Sequence, residues 1–86
     1  MTYEVQVILT LPEQQEDEEV LDTIAEQHHG FGIGYELSTT KNPEVVEQQL
    51  TFQFEEREDA IAFKKATRKH FGIDIPLSEI EENVGL

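Results

Sequence analysis

The chain has no cysteine, and that removes disulfide frameworks and thiolate metal sites from consideration. The lack of thiols fits a reducing compartment. No apolar run approaches the ~18 residues of a membrane span. The first residues, MTYEVQV, carry neither the charge nor the apolar length of a signal peptide. The expectation is a cytoplasmic protein that does not engage membranes. Basic residues are the other shortage: six lysines and arginines stand against nineteen acids, for a net charge of −13. A field of that sign repels the phosphates of nucleic acid and anionic lipid, and it draws basic partners. A well-solvated surface adapted to high salt would carry the same excess.

At 86 residues the chain makes one domain (1–86), with neither an internal repeat nor a low-complexity tract. TYEVQVILTL alternates, with Tyr3, Val5, Val7, Leu9 and Leu11 on one face, so it reads as a strand with one buried side. Pro12 ends it, because proline cannot donate to a ladder. The period then changes. Val20, Leu21, Ile24, Ala25 and His28 share one side of a helix with about 3.6 residues per turn. Asp17 is placed to cap that helix, and Gly30 stands where a left-handed residue commonly stops one. IGYELSTT is a second strand, with Ile33, Tyr35 and Leu37 expected on its inner face. The stretch KNPE is a turn. EQQLTFQFEE is a third strand that turns Leu50, Phe52 and Phe54 inward.

EREDAIAFKKATRKHFG is the clearest helix, with acids at its start, bases at its end and Gly72 after it. Its expected inner stripe is Ala60, Phe63, Ala66, Thr67, His70 and Phe71. Three readings of the tail stay open: IDI as a short strand, Ser78 and Glu81 as the capping box of a terminal helix, or a fourth edge strand. The order β-α-β-β-α predicts an α+β domain of the ferredoxin-like, split βαβ type. That is one antiparallel sheet with two helices on one face, the first and third strands as neighbours, and both helices running in the same direction.

Few chemistries survive inspection. Gly30, Gly32 and Gly34 follow a helix and precede a strand, the reverse of a phosphate-binding turn. Gly32 and Gly34 suit a bulge or a close backbone approach instead. His28 and His29 point about 100° apart on a helix and cannot readily grip one ion. With parallel helices, His28 and His70 would meet at one end of the molecule as a pH-sensitive pair. Ser38 and Ser78 have no histidine placed beside them. The expectation is therefore no enzyme, no catalytic residue, no metal and no cofactor.

LTFQFEEREDAIAF is similar to the strand-then-helix pattern of RNA-recognition motifs, which implies base stacking on aromatics of an exposed sheet face. Here Phe52 and Phe54 share their face with Leu50, and the other face carries Gln49, Thr51, Gln53 and Glu55. The aromatic face must be the core, so direct binding of nucleic acid is not expected.

What remains is surface charge. Glu16, Asp17, Glu18, Glu19, Asp22 and Glu26 form an acidic surface suited to a basic protein partner, in the manner of a nucleic-acid mimic that inhibits or modulates a nucleic-acid-binding protein. Arg57, Ile61, Lys64 and Arg68 form a second stripe that could dock a partner. The alternative function is a ligand-sensing or homo-oligomeric assembly module, dimerising through a sheet edge or through the open face around Gln6, Ile8, Thr10, Thr51 and Gln53.

Overall fold

A computed structural model describes residues 1–84. The elements follow the order β1 (Thr2–Leu11), α1 (Asp17–Gln27), β2 (Phe31–Thr39), β3 (Val46–Phe54), α2 (Arg57–Phe71) and β4 (Glu81–Asn83). All strand pairs are antiparallel, and the sheet order is β2-β3-β1-β4. With both helices packed on one face, this is a ferredoxin-like α+β fold. No helix among the described residues is long and apolar enough to cross a membrane.

The period-two pattern of β1 and β3 sets the core. Val5 faces Phe52 and Val7 faces Leu50 in the ladder, and all four are buried on the helix side. The helices close over them with Leu21, Ile24 and Ala25 from α1 and Ala60 and Phe63 from α2. Phe63 sits between Phe52 and Phe54, its ring centroid 5.1 Å from each, in tilted geometry. Burying a side chain of this size contributes about 1.5–3 kcal/mol, so the three rings anchor a small core. Thr67 also lies in it, and its Oγ1 has no hydrogen-bond partner. His70, expected on the inner stripe, is exposed and packs edge-on against the Phe71 ring at 4.6 Å.

Helix ends depart from expectation in two places. Asp17 is the first residue of α1 rather than its cap; Glu16 holds the flanking position and makes no side-chain capping bond. Asp17, Glu18 and Glu19 favour the helix through its positive end instead of through a cap. At the other end the left-handed residue is His29, with φ 62°, not Gly30. The His29 amide donates to the carbonyl of Glu26 at 3.1 Å and the Gly30 amide to that of Ala25 at 2.8 Å, a Schellman closure. Gly30 is required for a different reason: a Cβ there would overlap the buried ring of Phe54.

The two helices run in opposite directions, which corrects the expectation of parallel ones. Each helix returns against the strand before it, and β1 and β3 are antiparallel. His28 follows α1 near the Phe54 end of the sheet. His70 closes α2, which leads away from that end for 15 residues, roughly 22 Å of helix. The pairing of His28 with His70 is therefore ruled out.

Among the described residues the tail forms neither a helix nor an isolated strand at IDI. Gly72, at φ 72°, turns the chain, and Arg68 Nη1 donates to the carbonyls of Ile75 at 2.6 Å and Gly72 at 3.2 Å. Ile75 is thereby set into the core. The chain then runs back along the outer edge of β1. The Ile8 amide bonds to the Pro76 carbonyl, Val7 bridges Leu77, and the Gln6 amide donates to the Ser78 hydroxyl at 2.8 Å. Ser78 is used this way rather than as a helix cap. β4 completes the edge against Thr2, Tyr3 and Glu4. At the far end Gln14 accepts from the Thr10 amide and donates its own amide to the Thr10 carbonyl, both at 2.7 Å. The outer edge of β1 is thus occupied along its length.

Candidate functional site: an open sheet edge beside an acidic helix

The opposite edge of the sheet is bare. β2 pairs with β3 on one side only, and none of the loop or side-chain hydrogen bonds among the described residues reaches residues 31–39. Every residue of β2 is exposed. Four of them are large and apolar: Phe31 at 53%, Ile33 at 45%, Tyr35 at 62% and Leu37 at 57%. Only Glu36 carries charge along the strand. Sheet edges are normally shortened, charged or covered, because their free amides and carbonyls recruit another strand. β4 follows that rule, with three residues of which two are glutamates. β2 does not.

The expectation that Ile33, Tyr35 and Leu37 form one inward face is overturned. The ladder shifts register between Gly32 and Gly34, so Ile33 is the extra residue of a bulge. Gly34 then pairs with Thr51, and Tyr35 with Leu50. Tyr35 and Leu37 stay on the helix side but lie beyond the cover that α1 provides. Ile33 joins Glu4, Gln6, Glu36, Gln49 and Thr51 around a shallow depression of about 300 Å³ on the open face. The bulge reading of Gly32 and Gly34 is borne out.

Of the six acids expected to act together, the structure gathers three. Glu18, Asp22 and Glu26 recur at every fourth residue, so they form a row along one flank of α1. They make one wall of a groove of about 380 Å³, whose other wall and floor include Phe31, Gly32, Tyr35 and Phe52. Asp22 has its carboxyl pushed above the ordinary value of 3.8, chiefly by burial and then by the charges of Glu26 and Glu19. Like charges one helical turn apart cost about 0.2–0.5 kcal/mol per pair, a cost that a cation in the groove would offset. Glu16, Asp17 and Glu19 instead surround a wide depression at the start of α1, with Glu13 and with Glu18 shared between the two.

The basic stripe is divided. Arg57 is exposed and Ile61 and Lys64 are half-buried, while Arg68 is engaged with the carbonyls of the following turn. Among the described residues no group of three or more His, Asp or Glu side chains is placed to hold a metal ion. Sequence reasoning missed Phe31, Tyr35 and Leu37 as surface residues. The signal was available, because a split βαβ chain with its first and third strands adjacent leaves the second at an edge.

No family model and no curated protein matches this sequence. Solved structures do match in shape. A dimeric ferredoxin-like protein from an uncultured marine organism superposes with a TM-score of 0.56 at 15% identity, over 100% of this chain and 97% of that one. The de novo designed protein Foldit4 gives 0.54 at 9% identity, over 95% and 96%. A proposed antibiotic biosynthesis monooxygenase from Nitrosomonas europaea gives 0.51 at 16% identity, over 96% and 90%. At such identities the likeness extends to the fold alone, and a fold shared by a designed protein and one titled as an enzyme carries no activity with it.

Proposed function

We propose that this protein is a non-catalytic binding module of the cytoplasm that engages a basic protein partner through the α1 flank and the neighbouring edge of β2. The observation that carries this reading is the row of Glu18, Asp22 and Glu26 beside a nine-residue strand with every residue exposed. The row supplies charge, and the strand supplies apolar anchors and unpaired backbone. A partner that ordinarily binds nucleic acid has the matching basic groove, with these carboxylates standing in for phosphates. Capture from a native-host lysate, followed by mass spectrometry, should return basic proteins. Reversing Glu18, Glu19, Asp22 and Glu26 to lysine should abolish that capture, and raising salt should weaken it steeply, since exposed charges are screened over ~8 Å at physiological ionic strength. Unchanged capture by the reversed protein rejects the reading.

A second reading is homo-oligomeric assembly. It is favoured by the neutral centre of the open face, around Ile8, and by a solved neighbour described as dimeric. Sedimentation of the pure protein separates the two: a dimer insensitive to salt supports assembly, and a monomer supports the basic-partner reading.

A further inference from the structure

We propose that the partner binds as an extended basic segment that adds a fifth strand to the sheet at β2, with alternate lysine or arginine side chains laid along the Glu18, Asp22 and Glu26 row. This rests on the basic-partner reading and specifies its geometry. Three observations support it. First, β2 is the one long edge among the described residues with no cover, whereas the outer edge of β1 is occupied by residues 76–83 and by Gln14. Main-chain pairing at such an edge provides affinity, and alternate side chains provide specificity.

Second, the spacings agree. Side chains four apart on a helix recur every ~6 Å along its axis. Same-face side chains of a strand recur every ~6.7 Å. Three carboxylates on α1 can therefore meet three successive same-face cations of an added strand. Glu18, Asp22 and Glu26 line one groove together with Phe31, Gly32, Gly34 and Tyr35, so the carboxylate row lies beside the first half of β2.

Third, charge selects against the obvious competitor, a second copy of this chain. Antiparallel pairing of β2 with its own copy about a two-fold axis keeps both helical layers on the same side of the joined sheet. The two α1 flanks, six carboxylates in all, would then face each other across the junction. Like-charge juxtaposition of that kind rejects wrong partners. A basic strand in the same place is attracted.

The test uses two synthetic peptides of one sequence, with lysine at three alternate positions and valine or threonine between. One is unmodified; the other is N-methylated on the amides that would face β2, which keeps the charge and removes the pairing. Binding at low salt is followed by NMR, together with hydrogen exchange of the β2 amides. The expected result is that the unmodified peptide binds at least roughly tenfold more tightly and slows exchange of outward β2 amides. Reversal of Glu18, Asp22 and Glu26 to lysine should weaken it about 100-fold, with circular dichroism confirming an intact fold. Equal binding of both peptides without β2 protection overturns strand addition while leaving the basic-partner reading in place. Binding of neither peptide overturns both. Slow exchange of β2 amides in the pure protein, rising with its concentration, shows a second copy at the edge and also overturns the proposal.

Discussion

Replacing Gly30 with alanine tests the packing of the α1–β2 junction directly. A Cβ at this position would penetrate the van der Waals envelope of Phe54 at Cε1, Cδ1 and Cζ. The ring cannot retreat, since Phe54 is fully buried and packed against Phe63. Overpacking of this kind costs about 1–3 kcal/mol. Alanine returns about 0.4–1 kcal/mol by restricting the unfolded chain. A net loss of about 1.3 kcal/mol follows. For a domain of this size each kcal/mol moves Tm by about 4–8 °C, so G30A should melt about 5–10 °C lower. Thermal and urea unfolding followed by circular dichroism measure it. Phe54→Leu should relieve part of the loss, giving a coupling of about 0.5–3 kcal/mol in a double-mutant cycle. H29G, one residue earlier, should stabilise, because His29 and not Gly30 holds the left-handed conformation. An alanine variant as stable as the parent, or an H29G loss equal to that of G30A, would refute the assignment of roles at this junction.

Three further outcomes follow from the core and the charge layout. Thr67→Val should raise stability by about 1 kcal/mol, since the hydroxyl is buried without a partner and valine fills the same space; the urea midpoint reads it. Arg68→Ala should cost about 1–2 kcal/mol and loosen the seat of Ile75, visible as faster amide exchange at Gln6 and Ile8, where the tail lies on β1. The raised carboxyl of Asp22 means that the folded state holds its proton more tightly than the unfolded chain, so stability falls as pH rises from 3.8 through the folded value. Asp22→Asn should therefore melt higher than the parent at pH 7, with the gap closing below pH 3.8 and shrinking in salt; a gap that does not change with pH would show that charge is not the cause.

Much of this molecule was determined by local pattern. Alternation in TYEVQVILTL and EQQLTFQFEE placed Val5, Val7, Leu50, Phe52 and Phe54 inward, because a pleated strand has only two faces and only one was apolar. Helical periodicity with acids first and bases last marked α2 for the same kind of reason. Tertiary structure decided what happens at the margins. Ile33, Tyr35 and Leu37 have the alternation of a buried strand, yet burial depends on what lies across from a residue: the bulge sends Ile33 to the open face, and nothing among the described residues covers Tyr35 and Leu37 at the edge. The separation of His28 from His70, the use of Ser78 as a strand partner and the division of six acids into a groove wall and a helix mouth are likewise facts of relative placement. Residue spacing records what one element can present; only the packed chain records whether anything is there to meet it.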